Sequence, residues 1–332
     1  MKQLILSNVP TGNLEKTDFV LQNAEIPQIE DGEVLVKNIL LSIDAANRSW
    51  MQGKTYRDAV RAGDIMPTYS IAEVVKSNDD RFSKGQIVTG DSVWAEYAAI
   101  DGKLLTSCPN IKPLSNLLSL YGIAGLTAYH GLMNVGELKK GETVVVSAAG
   151  GSVGLFVGQI AKAMGCRVVG IAGSDEKCSR VVSELKFDSC INYKSGSLLK
   201  DLKTECPDGI DVYFDNVGGS ILEIVLFRMN MRGRIVCCGA VSQYDGSAPI
   251  GPRNLPGLLI VKRLKMEGFI VMDFAKDHLK AIKHMSELQA EGKIKIVEDI
   301  TEGIENAPDA LLKLLGGGNY GKSMVRVCPD PT

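Results

Sequence analysis

The sequence predicts an α/β protein: a doubly wound parallel sheet in its second part, and a smaller antiparallel, barrel-like domain before it. Three observations predict it. Between Thr143 and Ala172 a strand, a glycine-rich turn, a helical run and a second strand follow one another, which makes one βαβ unit. Strand-like and helix-like runs keep alternating from there to residue 271. Ahead of residue 121 the apolar residues alternate instead over short runs separated by turn residues, as antiparallel strands with one buried face do.

Taken along the chain, Glu33–Lys37, Ile71–Val75, Ile87–Thr89 and Trp94–Ala98 predict strands of the first domain, with Lys84-Gly85-Gln86 turning the chain before the third. The boundary is expected near Tyr121–Thr127. Thr143–Val146 opens the second domain as a buried strand, Ala148–Gly154 turns it, a helix runs to Gly165, and Arg167–Ala172 is the next strand. Ser189–Tyr193, Asp211–Asp215, Arg234–Cys238 and Met266–Val271 predict four more, with a helix over Ser220–Met229 among the connections. Met324–Val327 predicts a strand returning to the first domain. The expected division is 1–123 with 300–332 for the first domain and 124–299 for the second, since 332 residues are long for one core.

The glycines of the Ala148–Gly154 turn have a physical reason. Backbone N–H groups at a helix start bind phosphate oxygens, and a Cβ there would keep a pyrophosphate away. Gly151 fits the close-approach position and Gly154 the position where helix packs on strand, with Ser152 and Val153 between them. Ala149 stands where the common G-x-G-x-x-G pattern has its first glycine, so the match is an A-x-G-x-x-G variant set in the right strand–turn–helix context. The alternative is a tight helix–strand turn that binds nothing.

Past the second strand, a site for NAD usually shows an acid that takes the ribose hydroxyls. Here Gly173-Ser174 follows, and then Lys177, a composition suited to a 2′-phosphate and therefore to NADP(H). Asp175 and Glu176 are either that acid slightly displaced or first-turn acids of the next helix, with Ser174 as its N-cap. Lys177 is otherwise a solvated helix lysine.

Composition bounds the function. A net charge of −2 gives no field for nucleic acid or an anionic membrane. The uncharged runs Pro113–Gly136 and Thr143–Ala161 are broken by polar residues and glycine, so neither reads as a membrane span, and no charged-then-apolar leader opens the chain. The eight cysteines (108, 166, 178, 190, 206, 237, 238 and 328) show no C-x-x-C spacing. They read as reduced and mostly buried, which places the protein in a reducing, cytoplasmic compartment. No metal is expected. The only histidines are His130, His278 and His284, and Cys108 is the one cysteine before them, so a first-domain zinc site cannot be assembled. None of the nine tyrosines has lysine four residues on, which removes a short-chain dehydrogenase.

Gly125-Leu126-Thr127-Ala128-Tyr129, the Ala148–Gly154 turn with Gly158-Gln159, Asp215-Asn216-Val217-Gly218-Gly219, the run Cys238–Tyr244, Met266–Val271 and Asn319-Tyr320-Gly321-Lys322 occur in that order. In these segments, and in Trp94-Ala95-Glu96-Tyr97, the chain resembles the zinc-independent medium-chain dehydrogenases/reductases, in the group of NADP-dependent alkenal/one oxidoreductases and prostaglandin reductases. The resemblance implies a Rossmann-type second domain, a GroES-like first domain and a homodimer. It implies that Gly151, Ser152, Val153 and Gly154 contact the pyrophosphate. Gly173, Ser174, Lys177 and Tyr193 hold the 2′-phosphate end. Asn216 faces the cofactor, and Cys238, Gly239, Ala240, Val241, Ser242 and Tyr244 line the nicotinamide ribose. Phe269, Ile270 and Val271 fix the nicotinamide, and Asn319 meets it or its ribose. Read from pattern alone, Phe269–Val271 are equally strand core, Asn216 a turn residue and Tyr193 packing at a strand end.

The implied reaction is NADPH-dependent reduction of the C=C bond of α,β-unsaturated aldehydes or ketones without metal. It needs a donor aimed at the carbonyl oxygen, where charge gathers. Tyr244 is the candidate catalytic residue, donating directly or through a ribose hydroxyl, unless it only buttresses its loop. Tyr56 resembles a substrate-side tyrosine, in a polar stretch that also suits plain surface. Asp44-Ala45-Ala46 replaces the family's Asp-Pro-Tyr, Pro67-Thr68-Tyr69-Ser70 replaces a glycine cluster, and Asp245 stands where Asn is expected, so substrate identity does not carry over. A quinone reductase on the same fold and a non-catalytic NADPH-binding protein are the rival readings.

Overall fold

The computed structural model describes residues 1–109, 111–244 and 251–331; Asp245 lies outside them. The chain divides into two compact units, Met1–Leu118 with Tyr244–Gly246 and Glu298–Thr332, and Ser119–Gln243 with Ser247–Val297.

In the first unit β1 (Lys2–Leu6) pairs antiparallel with β2 (Phe19–Asn23). A seven-stranded sheet begins with β3 (Glu33–Ser42), followed by the short helix α1 (Ala46–Ser49), β4 (Pro67–Ser77), β5 (Ile87–Val93), β6 (Tyr97–Asp101) and β7 (Leu105–Ser107). Strand β3 is antiparallel to both β4 and β6, and β4 to β5. Val34, Val36, Val74 and Val88 turn inward from these strands and are fully buried. The strand expected at Trp94–Ala98 begins at Tyr97 instead: Trp94 has its ring fully buried and 5.5 Å from Phe19, and its backbone bonds to β1.

The second unit opens with α2 (Ile123–His130). Its sheet consists of β8 (Thr143–Ser147), β9 (Arg167–Ala172), β10 (Ser189–Asn192), β11 (Ile210–Asp215), β12 (Met229–Cys237) and β13 (Lys265–Gly268). All are parallel, in the order β10-β9-β8-β11-β12-β13, the doubly wound arrangement whose switch point lies between β8 and β11. The crossovers are α3 (Gly154–Ala163), α4 (Asp175–Leu185), α5 (Leu198–Glu205), α6 (Gly219–Leu226) and α7 (Leu255–Lys262); α8 (His278–Ala290) follows β13. Val144, Val145 and Val146 are fully buried, because a parallel sheet is covered on both faces and its strands are apolar throughout.

Three boundaries differ from expectation. Helix α6 stops at Leu226 and Met229 already begins β12, since the buried Met229 pairs with Ile210. Tyr193 leaves the sheet in a 3₁₀ turn. Strand β13 ends at Gly268, so Phe269, Ile270 and Val271 are not strand.

The chain then returns to the first unit. β14 (Glu298–Glu302) lies parallel to β15 (Lys322–Arg326), α9 (Ala307–Leu315) joins them, and β15 pairs antiparallel with β3. Among the described residues no helix is long and apolar enough to cross a membrane.

Candidate dinucleotide and substrate site

The turn after β8 is built from its own backbone. Ala148 takes a left-handed φ of 51°, and the Gly151 N–H donates to the Ala148 carbonyl at 2.9 Å. A Cβ on Gly154 would stand 2.3 Å from that same carbonyl oxygen, and one on Gly151 would stand 3.1 Å from it. Backbone cannot yield as a flexible side chain can, so Gly154 is required for α3 to leave the strand at this angle. Ser152 and Val153 lie between, at the amino end of α3, where N–H groups have no carbonyl one turn earlier. Such a turn accepts a pyrophosphate. Ala149 is tolerated in the first-glycine position because Gly170 faces it: a Cβ on Gly170 would meet the Ala149 Cβ at 2.8 Å.

At the end of β9, Ser174 caps α4 by accepting from the Lys177 N–H at 3.2 Å, with Asp175 and Glu176 in the first helical turn. Asp175 accepts from Asn192 Nδ2 at 2.9 Å, which engages its carboxylate in tying α4 to β10. Gly173 lies beneath the neighbouring turn: a Cβ there would be 3.3 Å from Tyr193 Cε1 and 3.6 Å from Lys194 Cε. Lys194 Nζ stands 5.9 Å from the centre of the Tyr193 ring, and that ring is 41% exposed. Gly173, Ser174, Lys177 and Tyr193 thus gather at the ends of two adjacent strands. Lys194, which follows Tyr193 directly in the sequence, is the cation that sequence reasoning passed over.

The switch point holds a buried carboxylate. Asp215, 2% exposed, ends β11. Its Oδ1 accepts from the hydroxyls of Ser147 (3.2 Å) and Tyr213 (2.9 Å) and from the N–H groups of Val217 (3.0 Å) and Gly218 (2.9 Å). Burial pushes the carboxyl up from its usual range, while the two N–H groups pull the other way. Asn216 is tied to β8 through its N–H to Ser147 Oγ (2.9 Å) and its Nδ2 to the Ser147 carbonyl (2.8 Å). The loop after β12 is laced to the same segment. Cys238 and Gly239 N–H groups donate to the Asp215 carbonyl, Val241 to Asn216, and Ser242 to Val217, with Ser242 Oγ adding a 2.6 Å bond to the Val217 carbonyl. Ala240 accepts from Gln243 at 2.8 Å. The Cys237 and Cys238 thiols are each pushed up to about 12, first by burial and then by the charge of Asp215.

Beyond β13, the Phe269 ring meets Phe214 edge-on at 6.4 Å, and a Cβ on Gly131 would be 2.8 Å from its Cζ. Phe269 therefore packs against α2 and β11 with its side chain, leaving its backbone outside the sheet ladder. The Val271 carbonyl lies 3.1 Å from His278 Nε2.

In the first unit, Tyr56 is 53% exposed and its hydroxyl accepts from Trp50 Nε1 at 3.2 Å. Burial of that end raises the phenol above its usual range, and the nearby Asp44 and Tyr244 add to this. Tyr244 and Tyr56 are thus brought within electrostatic reach of each other. The Tyr244 carbonyl accepts from Gln52 Nε2 at 2.7 Å. Asn319, buried, donates from Nδ2 to the Gly321 carbonyl at 3.1 Å. Beside it Lys322 is buried and reaches Asp44 Oδ1 at 2.6 Å.

Two family profiles match the chain: "N-terminal domain of oxidoreductase" over residues 2–108 and "Zinc-binding dehydrogenase" over residues 152–287. The NADP(+)-dependent 2-alkenal reductase of Nicotiana tabacum is 42% identical over 98% of this chain and 97% of its own. Prostaglandin reductase 1 of Bos taurus is 41% identical over 93% and 94%. The chain belongs to the medium-chain dehydrogenases/reductases. Within that family it falls in the alkenal/one oxidoreductase and prostaglandin reductase group. The crystal structure of CurA from Vibrio vulnificus in complex with NADPH superposes with a TM-score of 0.94, at 38% identity over 99% of this chain and 100% of that one.

The second profile's description mentions zinc, and this medium-chain dehydrogenase/reductase does not offer the donors. Among the described residues no group of three or more His, Cys, Asp or Glu is placed to hold a metal ion. His130, His278 and His284 instead pack among Tyr129 and Phe274 in the second unit. All eight cysteines are free; three are buried and five half-buried, more open than the composition suggests, because Cys190, Cys237 and Cys238 sit at strand ends.

Proposed function

We propose that this protein reduces the carbon–carbon double bond of α,β-unsaturated aldehydes and ketones with NADPH and without zinc. The observation that carries the reading is the likeness, over nearly the whole chain, to an NADP(+)-dependent 2-alkenal reductase. The basic corner around Gly173 supports the cofactor choice.

On this reading the Gly151–Gly154 turn takes the pyrophosphate on N–H groups of Gly151, Ser152, Val153 and Gly154. Gly173 leaves room for the adenosine ribose, Ser174 and Tyr193 offer hydroxyls, and Lys177 and Lys194 neutralise the 2′-phosphate. Asn216 and the loop Cys238–Ser242, held rigid by Asp215, border the nicotinamide ribose. Phe269, Ile270 and Val271 present backbone to the nicotinamide, and Asn319 contacts it. Bound NADPH supplies the hydride that goes to the substrate β-carbon. Negative charge then collects on the carbonyl oxygen, and Tyr244 donates a hydrogen bond to it. Tyr56, whose raised pKa keeps it a protonated donor at neutral pH, lies on the substrate side.

The same reading makes the protein a homodimer of a reducing, cytoplasmic compartment. Strand β13 ends the sheet with an open edge, and on the preceding helix Ile260 and Val261 are 73% and 66% exposed, apolar area that a second copy would cover.

An NADPH-oxidation screen across enals, enones and quinones tests the activity. Turnover of enals and enones is expected, with Tyr244→Phe lowering kcat about tenfold to a hundredfold and changing NADPH affinity little. Quinone turnover alone would support the quinone reductase reading. NADPH binding without turnover on any of them would leave a non-catalytic binder. Sedimentation at micromolar concentration tests the dimer.

A further inference from the structure

Twelve residues apart in sequence, two thiols meet beneath the 2′-phosphate corner. Cys178 lies on the first turns of α4, directly after Lys177, with its N–H bonded to the Ser174 carbonyl at 3.1 Å. Cys190 is the second residue of β10, in register with Gly170 of β9. Helix α4 packs on β10, and the Cys190 thiol donates a hydrogen bond to the Cys178 sulfur. Cys178 is buried and Cys190 half-buried. The missing side chain of Gly170 makes the room: a Cβ there would come within 3.0 Å of Cys190 Sγ and 2.8 Å of the Ala149 Cβ. The pair therefore touches both the pyrophosphate turn and the helix that bears Ser174 and Lys177.

The contact is asymmetric. The donated hydrogen bond lowers the Cys178 pKa below that of an ordinary thiol and raises that of Cys190. Burial instead raises Cys108, Cys166, Cys206, Cys237, Cys238 and Cys328. A thiolate is the reactive form, so Cys178 is the thiol most disposed to react, and its partner is already in place.

We propose that Cys178 and Cys190 form a redox-active dithiol whose oxidation to a disulfide loosens the grip of the fold on the 2′-phosphate of NADPH. The oxidant class is a hydroperoxide. The Cys178 thiolate attacks its terminal oxygen, the O–O bond breaks, and the alkoxide or hydroxide leaves and takes a proton, giving a sulfenic acid. The Cys190 sulfur then attacks the Cys178 sulfur; its thiol proton leaves with the hydroxyl as water, and the S–S bond forms. Two thiols lose two electrons in total, and the hydroperoxide gains them. An S–S bond is about 2.05 Å long, much shorter than two hydrogen-bonded sulfurs. Closing it draws the first turns of α4 onto β10 and moves Ser174 and Lys177. The effect on NADPH rests on the functional reading above; the disulfide itself does not.

Purified full-length protein is treated with hydrogen peroxide, alkylated, digested and mapped by mass spectrometry, and NADPH and NADH binding is titrated before treatment, after it, and after dithiothreitol. A Cys178–Cys190 peptide pair lighter by two hydrogens is expected, with NADPH Kd raised about tenfold, the loss of one charge-assisted hydrogen bond. NADH Kd should change little, and dithiothreitol should reverse both effects. Cys178→Ser and Cys190→Ser proteins should bind NADPH as untreated protein does and lose the peroxide response. Absence of that crosslink, or sulfinic acid at Cys178 in its place, overturns the dithiol. A crosslink with unchanged NADPH Kd overturns its coupling to the cofactor. Untreated protein that fails to bind NADPH would instead defeat the functional reading and leave the peptide map standing.

Discussion

The two ends of the proposed cofactor seat are made differently. Around the switch point, the contacts are backbone to backbone or converge on one buried carboxylate: Gly154 against the Ala148 carbonyl, the Cys238–Ser242 loop against Asp215–Val217, and four donors on Asp215 Oδ1. At the end of β9 the contacts belong to exposed or half-exposed side chains, Lys177, Tyr193 and Lys194, over a bare glycine. The difference separates what the fold needs from what the cofactor selects. The first end cannot be altered without disturbing the sheet. The second can be rewritten one side chain at a time.

Four measurements test that contrast. The largest effect is expected from Asp215→Ala, which strands two hydroxyls and two N–H groups in a buried place. It should cost about 3–4 kcal/mol of unfolding free energy by urea denaturation, and a loss below about 1 kcal/mol would mean the carboxylate is not the hub. Gly154→Ala comes next, about 3 kcal/mol from forcing a Cβ against a carbonyl, with NADPH and NADH weakened alike; binding that discriminates between them would blur the two ends. Lys177→Ala and Lys194→Ala should leave stability within about 0.5 kcal/mol and weaken NADPH by about 2 kcal/mol each, with NADH nearly untouched. Equal losses for both nucleotides would remove the 2′-phosphate assignment.

The smallest expected effect is a pH dependence away from both ends. His130 is buried, stacked 4.9 Å from Phe274 and 5.4 Å from His278, with Nδ1 2.9 Å from Asn134 Oδ1. Burial, opposed by Asn134 and Asp277 and aided by His278, lowers its pKa from the ordinary 6.5. A histidine whose folded pKa is depressed binds its proton more readily when unfolded. Its contribution is therefore full above pH 6.5 and lost as pH falls below that value. Thermal melts from pH 7.5 down to 5.5 should show a drop that His130→Gln flattens; parallel curves for the two proteins would acquit His130.

What the sequence made readable was local. The N-cap role of Ser174, the strand after Arg167 and the glycine of the close helix–strand turn follow from residue type and spacing within a dozen positions, and each is seen. What it hid is tertiary. Nothing near Asp215 in the chain announces four donors, because two come from Ser147 and Tyr213 on strands that meet only in the sheet. Phe269–Val271 has the composition of a strand, yet the edge position of β13 and the pull of Phe214 and Gly131 on the Phe269 ring end the ladder at Gly268. Lys194 was adjacent to a chosen residue and overlooked, since a lysine in a 3₁₀ turn looks like any surface lysine until Gly173 is found beneath it. The Tyr244–Tyr56 approach rests on 188 residues of intervening chain, beyond any window of periodicity.

The thiols at the end of β12 carry one more consequence. α,β-Unsaturated carbonyls are soft electrophiles that alkylate cysteine, so a catalyst for them risks poisoning itself at every turnover. With its pKa pushed up to about 12, Cys238 is ionised in only about one molecule in 10⁵ at neutral pH. The buried charge of Asp215, which organises the loop, also keeps that sulfur from becoming a nucleophile, so the scaffold that presents the cofactor immunises itself against its own feedstock.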